Sequence, residues 1–317
     1  MGTKSAFFFP ERYWLLEEPA IEVRAFAPDE FFNEIKSWEL SSGLEISVRG
    51  GGVLVFEFAK ISSALLAVDE GPRHFPSLLL ATQTRVTTIN AFALCLHSAR
   101  AEKENMGSEG FRVDHRDLFQ LGEDMRAGIG GMGLMAVPMV PGAGYMRSFT
   151  KLGCLPESTF GHACETLDHI TSSPFGKALE LTALINDALA SLKNHDFSSS
   201  LITAWTVCET LLQQNWVEYM TAQGSPSGLS SARKQKLTGR DFTASVVSEI
   251  LALADLIDAE TLSRMDKVRK ARNAWMHSVK PPPYEDAIAA LELATAMLSN
   301  TLERPIHIAP SISASGL

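Results

Sequence analysis

Residues 264 to 277 read Arg-Met-Asp-Lys-Val-Arg-Lys-Ala-Arg-Asn-Ala-Trp-Met-His, with five bases and one acid in the first nine positions. Set on a helix at 100° per residue, Met265, Val268, Trp275, Met276 and Val279 form an apolar stripe, and Arg272 falls in its middle. A guanidinium keeps its charge, and leaving one buried without a partner costs about 3–5 kcal/mol. Arg272 therefore needs an acid, a polar subunit interface or an anionic ligand such as phosphate. Arg269, Asn273 and His277 are spaced i, i+4, i+8 and form a row beside the stripe. His277 falls in the last turn, where exposed carbonyls favour an imidazolium. An Arg that holds phosphate beside a proton-carrying His suits phosphodiester cleavage: one stabilises charge on phosphorus and the other moves a proton.

The elements that must position these groups follow from periodicity. Lys177 to Leu192, Phe197 to Tyr219, Thr243 to Ile257, Ala259 to Val279 and Tyr284 to Glu303 read as five helices. Pro281-Pro282-Pro283 stops the fourth, and a polar linker from Gln223 to Asp241 separates the second and third. This is a helical bundle over 172–304. A tail over 305–317 reads as flexible. On the second helix, Glu209 sits on the apolar face, seven residues from both Ile202 and Trp216. A carboxylate there also wants a buried partner, and a Glu209–Arg272 pair would orient the guanidinium.

The first 170 residues have a different texture. Ala20 to Ala27 and Leu44 to Lys60 read as strands, the second broken by Gly50-Gly51-Gly52 as a hairpin turn, and Ser77 to Ala101 reads as a long helix. Residues 105 to 165 are punctuated by Gly and Pro without clear period. The expectation is an α+β chain: a mixed domain over 1–170 that senses or binds a partner, then the all-α bundle.

Arg272-Asn273-Ala274-Trp275-Met276-His277, near the end of the fourth helix of such a bundle, resembles the motif of the HEPN superfamily ribonucleases. That motif is Arg, a polar residue, then His after four to six intervening positions. The Ala204-Trp205-Thr206-Val207-Cys208-Glu209 segment is similar to the family's second helix, and the likeness spans about residues 172 to 304. The resemblance implies RNA cleavage without metal or other cofactor at a symmetric homodimer interface. Arg272 would stabilise the phosphorane, His277 would transfer a proton or stabilise charge, and Asn273 would position both. Arg264, Lys267, Arg269 and Lys270 would guide the RNA backbone. It also implies a setting in prokaryotic antiviral defence or toxin action. Family members controlled by AMP transfer carry Tyr two places after the His, where this chain has Val279, so the resemblance does not extend to that control.

Other signals weigh less. Gly128-Ile129-Gly130-Gly131-Met132-Gly133 satisfies GxGxxG, yet Gly122-Glu123-Asp124-Met125-Arg126 rather than an apolar strand leads into it. Cys154, His162, Cys164 and His169 lack the paired spacing of a zinc knuckle and read as ordinary buried Cys and surface His. His115 reads as part of a solvated turn. The four cysteines are too few for a disulfide framework. The N-terminus matches no signal peptide. The uncharged run between Arg126 and Arg147 holds six Gly and two Pro, which argues against a membrane helix. A cytoplasmic protein is expected.

The 317 residues carry 28 Lys+Arg against 37 Asp+Glu, a formal charge of −9, which excludes a general nucleic-acid coat. The acidity is uneven: residues 1–174 hold 15 bases and 22 acids, the remainder 13 and 15. A local RNA-cutting site in the second half is compatible with that balance. The alternatives are a non-catalytic module, in which Arg272 and His277 only stabilise a dimer or bind a nucleotide, and a subunit silent outside a larger effector complex.

Overall fold

A computed structural model describes residues 4–8, 14–16, 33–49, 53–58, 75–104, 112–115, 117–121, 154–222, 230–237, 239, 242–278 and 280–310. The chain divides into two compact units, 1–186 and 187–317. The divide therefore falls inside a helix, Ala178–Lys193, rather than at the change of texture near residue 170.

In the first unit, strands β1 (Lys4–Phe8), β3 (Glu34–Glu39), β4 (Glu45–Arg49), β5 (Val53–Glu57) and β6 (Phe119–Leu121) form an antiparallel sheet in the order β3-β4-β5-β1-β6. β2 (Trp14–Leu16) and β7 (Cys154–Pro156) pair in parallel as a separate ribbon. The expected hairpin is present as β4 and β5. Val53, Leu54, Val55 and Phe56 are all buried, so β5 is covered on both faces, as its unbroken apolar run requires. The strand expected over Ala20–Ala27 and the Gly50–Gly52 turn lie outside the described residues.

Helix α1 (Phe75–Glu104) is buried on every side from Thr88 to Arg100. An aromatic chain links it to its neighbours in this unit: Phe56 on β5 meets Phe92 edge-on at 5.4 Å, and Phe92 meets Phe160 at 5.2 Å. Phe160 in turn lies 4.6 Å from Trp38 on β3. Phe160 belongs to α2 (Glu157–Ser172), a helix that the irregular texture of 105–165 conceals because its first turn follows directly on Pro156. Its buried side, Phe160, Ala163, Cys164, Leu167 and Ile170, keeps a helical period. The Asn90 side chain brackets Val113, donating from Nδ2 to its carbonyl (2.8 Å) and accepting its N–H at Oδ1 (2.9 Å). That bond pair fixes the 112–114 segment against α1 without a strand.

The second unit follows the expected helix order with one addition. After α3 (Ala178–Lys193) come α4 (Phe197–Ala222), α5 (Ser231–Leu237), α6 (Ala244–Leu253), α7 (Ala259–Ser278) and α8 (Tyr284–Leu302). The short α5 occupies the polar linker, and Trp216 of α4 anchors it by donating from Nε1 to the Leu237 carbonyl at 3.0 Å. Phe242 then stacks on Trp216 at 5.6 Å. α6 ends four residues earlier than its apolar pattern suggests. Asp255 turns left-handed (φ 57°), and the Leu256 N–H closes back onto the Leu251 carbonyl at 2.9 Å.

Residues 305–310 are packed, contrary to the flexible tail expected from 305. Ile306 is buried, its N–H donates to Ser299 Oγ (3.0 Å), and the Tyr284 hydroxyl donates to the Pro310 carbonyl (2.8 Å). The tail therefore runs back along α8 from its end to its start, covering apolar surface that would otherwise meet water. Residues 311–317 lie outside the described residues. No helix among the described residues is long and apolar enough to cross a membrane.

Candidate functional site

The direction of the helices fixes what surrounds the Arg-rich segment. Phe197, which opens α4, lies 5.6 Å from Tyr284, which opens α8, so these two extensively packed helices run parallel. The short 279–283 connection brings the end of α7 to the same end of the bundle. Lower on the stack, the Arg264 charge reaches the Cys208 thiol. α7 thus runs antiparallel to α4, with residue 264 facing the stretch around 208 and residue 272 nearer the start of α4.

This register corrects one expectation. Glu209 lies beside Cys208 at the level of Arg264, eight residues from the level of Arg272, or about 12 Å along the axis. Among the described residues no ion pair joins Glu209 to Arg272, and Glu209 is half-buried rather than sealed in the core. Two carboxyl-carrying and guanidinium-carrying positions on facing apolar sides do not meet unless their axial levels coincide.

The apolar stripe of α7 is also shorter than its sequence suggests. Met265 and Val268 are buried, but Trp275 is half-exposed and Met276 is 54% exposed. Val279 lies outside the described residues. Length explains the difference. α6 packs on α7 and has 10 residues against 20 in α7, so it covers only about half of the roughly 30 Å helix. The open half carries the motif.

Arg272 sits half-buried at the start of that open half. Its Nη1 donates to Asn273 Oδ1 at 3.1 Å, while its Nε is buried with no hydrogen-bond partner. Ser200 Oγ, near the start of α4, is likewise buried without a partner. Asn273 is half-buried and uses its carbonyl oxygen to hold the guanidinium plane. His277 is exposed in the final turn and makes no hydrogen bond or ion pair among the described residues. His277 stands five positions after Arg272, which places them about 140° apart round the helix and about 7.5 Å apart along it. The two therefore share an end of one helix without sharing a face.

Of the four bases expected to guide a polyanion, two are engaged within α7. Arg269 and Lys270 both pair with Asp266, three and four residues back. These two bonds hold the Asp266 carboxyl below the usual carboxylate range, the Lys270 bond contributing most. Lys267 is exposed and makes no ion pair among the described residues, and Arg264 is half-buried beside Cys208.

The remaining sequence signals separate cleanly. Among the described residues no group of three or more His, Cys, Asp and Glu is arranged to hold a metal ion. Cys164 is buried, and burial pushes its thiol up, as it pushes the Cys208 thiol up to about 12. His162 points instead at acids: its Nε2 lies 3.0 Å from Glu102. His115 is exposed in a turn whose Asp114 N–H donates to Asp117 Oδ2 at 2.7 Å. The GxGxxG string at 128–133 lies outside the described residues. The chain matches no protein-family model, no curated protein and no solved structure.

Proposed function

We propose that the second unit is an endoribonuclease that needs no metal ion and is completed when two chains meet at the open half of α7. One observation carries this reading: among the described residues Arg272, half-buried, has no acid partner and an orphaned Nε, on the same helix end as an exposed His277 without a partner there. Of the three partners that could satisfy such a guanidinium, this favours an interface and an anion over an acid. A two-fold pairing supplies both. It covers Trp275 and Met276, and it sets the Arg272 of one chain near the His277 of the other, overcoming the 140° between them on one helix.

In that composite site the RNA 2′-hydroxyl attacks the adjacent phosphorus and the 5′-oxygen of the next nucleotide leaves. The products are a 2′,3′-cyclic phosphate and a 5′-hydroxyl end. Arg272 neutralises charge on the phosphorane, Asn273 holds the guanidinium plane, and His277 transfers the proton. Lys267, with Arg264, Arg269 and Lys270, draws in the RNA backbone; Glu209 supports the helix pair near Arg264 rather than Arg272 itself. The likeness to HEPN ribonucleases supports the same assignment and a role in antiviral defence or toxin action, with the first unit receiving the signal.

Purified chain incubated with end-labelled single-stranded RNA in EDTA tests the proposal. Cleavage that survives chelation, leaves cyclic phosphate ends and disappears in His277→Ala supports it. Dimers in sedimentation with no cleavage at any RNA or protein concentration would instead make the motif a non-catalytic dimerisation module.

A further inference from the structure

The first unit holds a cleft of about 530 Å3, between β3, the end of α1 and the first half of α2, that has no part in the site above. Its lining is Trp38, Lys103, Glu157, Ser158, His162 and Glu165, with the bare backbone of Gly161 at its base. Gly161 lies within a regular helix, where glycine costs about 1 kcal/mol relative to alanine, so its value there is room rather than backbone freedom. A Cβ at residue 161 would stand 3.5 Å from Trp38 Nε1, an ordinary contact, while a longer side chain would enter the cleft. Trp38 packs against Phe160 and makes no hydrogen bond among the described residues, so its indole N–H is an open donor on the cleft wall.

Apart from Lys103, the ionic groups around the cleft lie against groups of opposite sign or against His162. Lys36 binds Glu157 at 2.8 Å, and His162 Nε2 lies 3.0 Å from Glu102 and its Nδ1 3.7 Å from Glu165. Lys103 donates to the Ser158 carbonyl at 3.2 Å. An anionic ligand would meet Glu157 and Glu165 and a cationic one Lys103, so the lining favours neither sign. What remains unspent is a ring of alternating capacity. Trp38, Lys103 and Ser158 can donate, while the second oxygens of Glu157 and Glu165 and the Ser158 hydroxyl can accept.

A sugar meets that pattern, because each hydroxyl both donates and accepts, the ring is neutral, and its C–H face is apolar enough for an indole. We infer that this cleft binds a neutral saccharide ring, held by Trp38 and Glu165 over Gly161. The cleft is wide open to solvent, so it would hold one face of a ring rather than enclose it. The inference stands apart from the ribonuclease reading, since it uses no residue of the second unit.

Saturation-transfer NMR on the full chain tests it, with glucose, galactose, mannose, ribose and maltose as neutral probes, adenosine as a probe in which the sugar is carried by a nucleoside, and lysine and glutamate as charged controls. The expected result is transfer to ring protons of at least one free saccharide and none to the charged controls. Gly161→Leu should lose binding at least about tenfold, Glu165→Ala should weaken it about three- to tenfold, and Gly161→Ala should retain it. Glu165 is 73% exposed at its side chain, so its removal reports binding rather than folding, and far-ultraviolet dichroism checks Gly161→Leu. Absence of transfer to every free saccharide at about 10 mM overturns the inference. Binding of adenosine alone, preferential binding of a charged control, or full binding by Glu165→Ala does so equally.

Discussion

Replacing Arg272 by Met separates stability from activity. The Arg272 Nε is buried and unpaired within one chain, and an orphaned buried donor costs about 1–3 kcal/mol. Methionine is similar in length and adaptable in shape, so repacking offsets less than about 1.5 kcal/mol of that gain. The Nη1 bond to Asn273 is also lost and, as a bond from a charged group, is worth about 1.5–3 kcal/mol, so gain and losses nearly cancel. The second unit spans 187–317, a size at which 1 kcal/mol moves Tm by about 3–5 °C. Thermal unfolding should be followed at a protein concentration where sedimentation shows monomers, so that subunit contacts do not contribute. There Arg272→Met is expected to melt within about 5 °C of the unsubstituted chain while failing to cleave RNA. Arg272→Lys should also fail to cleave, since an ammonium lacks the fork that spans two phosphate oxygens. A Tm lower by more than about 5 °C for the Met variant, in chains shown to be monomeric, would refute the reasoning: it would mean that the guanidinium has a stabilising partner inside one chain.

Two further outcomes are expected. In a Cys154→Ser background, Cys95, Cys164 and Cys208 should resist Ellman's reagent at pH 8 until the protein unfolds, because all three are buried and burial holds the Cys208 thiol up to about 12; rapid labelling of the native chain would contradict this. Asp258, which caps α7 by accepting from the Thr261 N–H (2.7 Å) and hydroxyl (3.0 Å), is held below the usual carboxylate range by those bonds, the backbone one most. Its contribution is therefore complete above the ordinary carboxylate range and lost as pH falls through its lowered value, so Asp258→Ala should destabilise the protein at pH 7 and by progressively less toward pH 2 in urea titrations.

Much of the second unit was legible because its signals are local. The apolar period placed the starts of α4 and α7, which Asp196 and Asp258 cap, and Pro281–Pro283 separates α7 from α8. The stops of α3 and α8 fall within one residue of their apolar patterns, and that of α6 four residues short. His195, Asp255 and Glu303 each turn left-handed there without being glycine (φ 59°, 57° and 51°), and closure onto earlier carbonyls offsets the strain. In the first unit, β1 and β3 carry no complete alternating pattern, and their pairing with β5 and β4 depends on partners about 50 and 10 residues away in sequence.

The same division holds for the site. Residue type and spacing alone determined that an arginine, an asparagine and a histidine would share the end of one helix, because 3.6 residues per turn fixes where neighbours fall. They also determined that Arg272 must find an acid, an interface or an anion. Only the tertiary structure showed that no acid among the described residues pairs with Arg272. Axial register, set by the packing of α4, α7 and α8, put Glu209 beside Arg264 and out of reach of Arg272, and the shortness of α6 left Met276 and His277 uncovered. Register and coverage are properties of pairs of helices, and no single helix's sequence encodes them.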